Sequence, residues 1–476
     1  MGVINYIMSL GASVMMPIIF LVLGLLLGMG IGKSLKAGLS VGVGFVGLSV
    51  ITQLLTDNIG PAVSSMVKTY GLHLHTLDIG WPAASAVAFG TEVGAIIIPL
   101  GLVVNVIMLA TKTTKTVNID LWNYWHFAFI GSIVSMSTKS FAWGAFAAIA
   151  VYIITLVGAD RSQKMVEKFY GKDLSGISLP QAFCVTYIPF AIAINWVIDR
   201  IPGLRKIDLD ADKMQKRFGI LGDPIFLGVI VGILIGVLAR YNVAKTLQLA
   251  IILAAVMVLI PRITALFIEG LKPISVRSQE LIAKRFPGRS FNIGMSPALV
   301  IGHPVTLVCS LLLIPVILFL SVVIPGNEFL PLASLSGLIY VFPLILPYTK
   351  GNVVRSFIVG LVTMIVGVLS ATSLAGIFTS AVRVVQASLI PAGTSSVASV
   401  DFAASPLTWL IYQGTAHAGL VGPIIIGLVV LAFMLFNRSR ILQEEQQALQ
   451  AATKHVASHT GEASDEDDDL AAESND

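Results

Sequence analysis

Long uncharged runs alternate with short charged segments along this chain of 476 residues. Val14 to Ile31 carries no charge and ends against Lys33 and Lys36. Comparable runs cover Ile220 to Leu238, Leu247 to Ile260, Thr306 to Val323, Phe357 to Val368 and Leu420 to Phe436. A helix needs about 20 mostly apolar residues to cross the hydrocarbon layer, so several crossings must borrow semi-polar flanks, and the pattern gives about eleven transmembrane helices. Backbone groups in lipid must pair within their own segment, which makes these runs helices. The short alternating strands of a β-barrel are not seen. Lys36 to Tyr70 mixes Ser, Thr, Asn and Gly with Leu and Val, as a helix lining a protein interior would. His73 to Trp81 is polar and aromatic, and Pro82 breaks any helix before it.

Composition agrees with that pattern. The chain is 56% hydrophobic and 12% charged, where a soluble domain carries about a quarter charged residues. Met1 to Gly11 lacks a basic leader, so the first apolar run reads as a retained span. Cys184 and Cys309 stand alone in apolar surroundings and suggest packing, not a disulfide or redox motif.

Charge orients the chain. Residues 441–476 hold ten acidic residues and one lysine, which leaves the first 440 residues a net +13. The positive charge collects at Lys33 and Lys36, at Lys112 and Lys115, in Arg161 to Lys172, in Lys272 to Arg289, and at Arg438 and Arg440. Cytoplasmic loops carry such excess, so the N-terminus is expected outside and the C-terminus inside. An odd number of spans follows, and eleven fits better than ten. The division expected is a membrane domain over 1–440 and an acidic, disordered cytoplasmic tail over 441–476. Short juxtamembrane basic loops reflect topology and give no reason to expect nucleic acid.

Polar residues inside apolar segments carry the functional signal. Gly80-Trp81-Pro82, Gly222-Asp223-Pro224 and Gly302-His303-Pro304 each break the backbone before a helix. Broken helices in comparable places of two halves point to a transporter site; the plain alternative is a helix start with Pro in its first turn. Glu92 precedes Ala95 to Leu109, and Asn105 lies within that run. His126 sits among Trp122, Tyr124, Trp125 and Phe127, an aromatic belt that suggests interfacial packing. Gln181 follows Leu179-Pro180, and Asp401 follows the Gly/Ser/Thr-rich stretch from Pro391. These groups suit hydroxyls, and indole faces suit the C–H faces of sugars. The segment Gly28 to Ser34 is one residue short of a phosphate-binding loop. His455 and His459 lack a clear third ligand. No catalytic site, cofactor or metal is therefore expected in this chain.

At Asp78-Ile79-Gly80-Trp81-Pro82-Ala83-Ala84-Ser85-Ala86, Leu221-Gly222-Asp223-Pro224, and Phe291-Asn292-Ile293-Gly294-Met295-Ser296-Pro297 running into Ile301-Gly302-His303-Pro304, the sequence resembles the galactitol-type enzyme IIC of the bacterial phosphotransferase system, in the ascorbate–galactitol superfamily. The resemblance spans about residues 10 to 440. It implies an all-α polytopic fold with inverted repeats, re-entrant hairpins, a core and a V-shaped scaffold. It also implies a homodimer in the bacterial inner membrane, elevator-like movement of the core, and a galactitol-like polyol or sugar as substrate. Phosphorylation would come from a separate IIB subunit supplied by IIA, since no IIB-type cysteine loop is present. By similarity, substrate contacts fall on Trp81, Glu92, Gln181, Asn292, His303 and Asp401. An ion-coupled secondary transporter of a small neutral solute, with Glu92 or Asp401 carrying the ion, is the alternative.

Overall fold

The computed structural model describes residues 12–71, 75–210, 213, 223–285, 290–390 and 395–472. The chain opens with a helix pair, α1 (Ala12–Leu26) and α2 (Ile31–Tyr70). They join at Gly28, whose φ of 72° suits a residue without Cβ. Next come β1 (Thr76–Asp78), α3 (Gly80–Phe89) and α4 (Glu92–Ala110). Then follow β2 (Thr116–Asn118), a 3₁₀ turn over Leu121–Tyr124, α5 (Trp125–Thr138) and α6 (Phe141–Tyr170). The strand β3 (Ile177–Ser178) leads into α7 (Ala182–Thr186) and α8 (Ile188–Ile198).

The same succession then recurs. The pair α9 (Pro224–Leu238) and α10 (Val243–Arg285) precedes β4 (Asn292–Gly294), a 3₁₀ turn over Pro297–Leu299, and α11 (Pro304–Val323). The strand β5 (Phe329–Leu330), a 3₁₀ helix over Ala333–Tyr340 and α12 (Val353–Gln386) come next. Then come β6 (Ser396–Ala398), a 3₁₀ turn over Phe402–Ala404 and α13 (Pro406–Ala416), with α14 (Val421–Ala472) last. Lengths agree as well as order: α1 and α9 both have 15 residues, and α2 and α10 have 40 and 43. Two lysines in left-handed backbone mark the same turn in each half, Lys139 before α6 and Lys350 before α12, both with φ of 54°.

The strands interlock the halves. β1 lies between β5 and β6, and β4 lies between β2 and β3, all parallel. Each half thus lends its first strand to the centre of the sheet whose edges belong to the other half. Thr76 pairs with Phe329 and Ser396, while Thr116 pairs with Asn292. Strands this short gain their place from packing around them, not from their own ladders.

Glycine decides how the long pairs pack. A Cβ on Gly228 or Gly232 of α9 would stand 2.5 or 2.4 Å from the Cα of Ala254 or Ala250 on α10. On Gly236 it would stand 2.8 Å from Thr246. Spacing of four residues on both helices lets their backbones touch, the small-residue packing common where lipid supplies no hydrophobic drive. α1, α2, α9 and α10 pack chiefly on one another, and the remaining elements form a second packed body around α5, α6 and α12.

Six of the described helices are long and apolar enough to cross a membrane: Glu92–Ala110, Phe141–Tyr170, Val243–Ile263, Pro304–Val323, Val353–Leu389 and Val421–Gln450. Shorter apolar helices cover Pro17–Leu26, Ala182–Ile198 and Ile225–Leu238. The chain is a multi-pass membrane protein, and two of the apolar stretches that read as spans fall on the shorter helices α1 and α9.

The basic segments are drawn to one end. Arg277 Nε donates to the Leu27 carbonyl at the α1–α2 turn (3.1 Å), and Lys272 meets Asp173 beyond α6 (2.7 Å). Lys115 and Arg161 meet Glu444 at 2.6 and 3.2 Å, and Lys112 meets Glu445 at 2.7 Å. Residue 440, the expected domain boundary, falls within α14, and the first turn beyond it docks on the α4–β2 loop and α6.

The proline of each Gly-x-Pro triplet stands in the first turn of a helix. His303 and Asp223 are N-caps of α11 and α9, with Pro304 and Pro224 as first helical residues. Leu221 and Gly222 lie outside the described residues. Thr91 is likewise an N-cap, that of α4, after the α3 hairpin.

Candidate functional site

The two sheets point their carboxyl ends toward each other, and buried polar residues collect in the segments that leave them. At the end of β1, Asp78 accepts from Gly80 N–H (2.9 Å), Leu332 N–H (2.8 Å), Ser334 N–H (2.7 Å) and the Ser334 hydroxyl (2.8 Å). Ser334 Oγ also accepts from Val400 N–H at 3.0 Å and lies 3.2 Å from Ser399 Oγ. Ser399 donates in turn to Asp401, whose other oxygen accepts from Ala403 N–H at 2.7 Å. A continuous polar chain therefore joins Asp78 to Asp401.

Beyond β2 and β3 the arrangement differs. Asn123 Nδ2 donates to Asp120 at 2.5 Å, and Gln181 Nε2 donates to Asn123 Oδ1 at 3.3 Å. Cys184 Sγ lies 2.7 Å from Gln181 Oε1 and 3.1 Å from the Tyr340 carbonyl, which belongs to the second half. His126 packs its ring 4.7 Å from Phe402, next to Asp401. These contacts close the two sheets' ends into one buried region drawn from both halves. Two polar atoms in it, Asp120 Oδ1 and His126 Nδ1, have no hydrogen-bond partner among the described residues.

The sequence-predicted residues separate into groups. Gln181 and Asp401 hold matching positions, each the third residue past β3 or β6, and both are buried in the central region. Trp81 is half-buried in the first turn of α3 and reaches Gly337. Asn292 is buried at the start of β4, with its backbone N–H on the Lys115 carbonyl at 2.7 Å. It pairs with Thr116, whose hydroxyl binds Asp160, so it faces the basic end of the sheet. Glu92 and His303 lie at the two hairpin tips, away from the sheets' carboxyl ends. Glu92 is exposed in the first turn of α4. His303 Nδ1 accepts from Val305 N–H at 3.2 Å, and its ring stacks 5.1 Å from Phe169.

Three residues central to the region were not nominated from sequence. His126 was read as interfacial packing, yet only 2% of it is exposed. Asp120 and Asn123 were not singled out. Their signal was available: Asp120, Asn123 and His126 stand three apart through an aromatic run.

The sequence model described as "PTS system sugar-specific permease component" matches residues 6–393. The chain is 35% identical over 452 residues to the PTS system galactitol-specific EIIC component of Escherichia coli (strain K12), covering 94% of this chain and 99% of that one. It is 36% identical over 440 residues to a putative permease IIC component of the same organism, covering 92% and 100%. A match of this extent, on a multi-pass helical fold with a buried polar centre, means that the chain belongs to the EIIC-GAT family of PTS system sugar-specific permease components and is a membrane permease subunit of that phosphotransferase system.

Proposed function

We propose that this permease carries galactitol or a closely related polyol across the bacterial inner membrane and presents it to a phosphorylated IIB subunit, itself recharged by IIA. The observation that supports this most is the buried region between the two sheets. Its groups are carboxylates, amides and an imidazole, which pair with hydroxyls; an anionic substrate would call for cations there. Gln181 and Asp401 are its central contacts from the sequence reading, with Trp81 above the Asp78 chain and Asn292 supporting the basic-side sheet. Glu92 and His303 serve the hairpin tips as helix starts.

The element order supports inverted repeats and eleven crossings, if each three-residue strand and the half-helix after it count as one. The crossings are α1, α2, α4, β2 with α5, and α6 in the first half. Those of the second are α9, α10, α11, β5 with the segment to Thr349, and α12, and α14 is the last. This path starts outside and ends in the cytoplasm, and it puts every paired basic segment on the cytoplasmic side. The α1, α2, α9 and α10 body is a V-shaped scaffold and homodimer interface. The other body is a core that shifts as a unit, elevator-fashion, because the substrate region lies wholly within it.

Vesicles holding this chain, loaded with phosphorylated IIB, are expected to accumulate galactitol phosphate from external galactitol. Uptake of free galactitol driven by a proton gradient without IIB would replace this reading with ion-coupled transport.

A further inference from the structure

We propose that Asp120, Asn123 and His126 form a linear recognition strip for the hydroxyls of an open-chain polyol, with Asp120 Oδ1 and His126 Nδ1 as its two open hydrogen-bonding positions. The inference rests on the substrate reading above and deepens it.

The three residues stand at i, i+3 and i+6 across the 3₁₀ turn Leu121–Tyr124 and the start of α5. Side chains three apart eclipse in a 3₁₀ helix and share a face at an α-helix start. They make one polar line through a segment whose other buried members include Tyr124, Trp125, Phe127 and Phe129. Asp120 and His126 are 1% and 2% exposed.

Such burial is costly without partners. An unpaired buried acceptor forfeits its hydration, and native proteins hold few of them. Asn123 is satisfied on both sides, by Asp120 and by Gln181. Its neighbours along the line are not: Asp120 Oδ1 and His126 Nδ1 remain open. The two open positions thus flank a fixed amide. Phe402 and Trp125 hold the imidazole in place at 4.7 and 4.2 Å between ring centres. Gln181, three residues past the far strand β3 of the same sheet, fixes the amide. The strip is therefore prearranged by apolar and amide neighbours, while one hydrogen-bonding atom at each of its ends stays unspent.

The chemistry that fits is a row of hydroxyls. An open-chain polyol carries one on each carbon and can donate to positions set along a line. A pyranose sets its hydroxyls around a disc and reaches fewer of them at once. The strip accordingly favours the acyclic alditol over the cyclic sugar of the same configuration.

The test uses the full chain in lipid nanodiscs, with calorimetric binding of galactitol and of galactose alongside thermal unfolding. Asp120→Asn keeps the shape and the Asn123 contact region but replaces an open acceptor and its charge. It is expected to weaken galactitol binding at least tenfold while the unfolding temperature holds or rises. His126→Phe, which preserves the ring packing on Phe402, is expected to weaken binding at least fivefold with unchanged stability. A purely structural role would lower stability and binding together in both variants, and that result overturns the proposal. So does galactitol affinity at the wild-type level in Asp120→Asn, or tighter binding of galactose than of galactitol by the wild type. Wild-type protein that binds neither compound would overturn the substrate reading itself and the strip with it; loss confined to the variants is the supporting result.

Discussion

The two sheets are alike in size, direction and exchange of strands, yet they end differently. The central strand β1 finishes on Asp78, and the central strand β4 finishes at the same position on Gly294. Asp78 spends its whole accepting capacity on Gly80, Leu332 and Ser334, and so locks its sheet to the second half. Gly294 has no side chain to do this, and the carboxylate of that region comes instead from Asp120 past the edge strand β2. Asp120 keeps one oxygen open. A saturated carboxylate fixes structure; an unsaturated one, prearranged and buried, is held in readiness. One sheet is closed by its own residues; the other, on the proposal above, is completed by the polyol.

The largest way to break that comparison is Asp78→Ala. It strands three backbone N–H groups and one hydroxyl in the interior, each worth about 1–3 kcal/mol when unmet. Loss of more than about 4 kcal/mol of stability is expected, seen as poor recovery of folded protein and a marked drop in unfolding temperature. An unfolding temperature near that of the wild type would mean that the Asp78 chain is not a lock.

Gly294→Ala comes next. Its Cβ would stand 2.8 Å from Pro180 and 2.9 Å from the Asn118 Cα, so β2 and β3 must part. Overpacking of this kind costs about 1–3 kcal/mol. Because Asp120 and Gln181 follow those strands directly, galactitol affinity should fall along with stability. This separates it from Asp120→Asn, where the two readouts diverge. Full affinity in Gly294→Ala would show that strand spacing does not set the strip.

How much of this was legible in sequence follows from the range of the forces involved. Membrane character was plain because a charge in lipid is costly at every position of a span. Gln181 and Asp401 stood out because each follows a proline or a small-residue stretch and precedes an apolar run. Asp120 was hidden. Its segment, Thr111 to Asp120, carries Lys112 and Lys115 and resembles any cytoplasmic loop; only the pairing of Thr116 with Asn292, distant in sequence, carries it inward. Three-residue parallel strands leave no periodic pattern. His126 was misplaced for a related reason: aromatic residues that mark a membrane interface are the same ones that line a buried pocket. The glycine-proline triplets are less telling, because Pro at the first helical position serves any helix start.

A smaller effect is expected at the cytoplasmic approach to the open sheet. Glu444 binds Lys115, Arg161 and Lys164, and Glu445 binds Lys112, all beside the loop that feeds β2. Lys115 is 7% exposed, so its pair is stronger than a surface bridge. The double variant Glu444→Gln and Glu445→Gln should lose about 1–2 kcal/mol, with the difference from wild type shrinking as salt rises. Unfolding temperatures that differ equally at all salt concentrations would show that the loss comes from packing and not from charge.

The smallest effect separates the hairpin tips from the site. Thr91 and His303 cap α4 and α11, and both give a side-chain acceptor to the first turn, at 3.1 Å from Gly94 N–H and 3.2 Å from Val305 N–H. Glu92 follows its cap and is exposed; its favourable setting is the positive end of α4, worth about 0.3–1 kcal/mol. Glu92→Gln should therefore lose stability on that scale and leave galactitol affinity within about twofold of wild type. The ion-coupled alternative makes the opposite demand, because a carboxylate that carries the coupling ion cannot be neutralised without loss of transport. Phosphorylation-linked uptake that survives Glu92→Gln would place the chemistry of this permease between its sheets, where Asp120 stands open, and leave the tips to build helices.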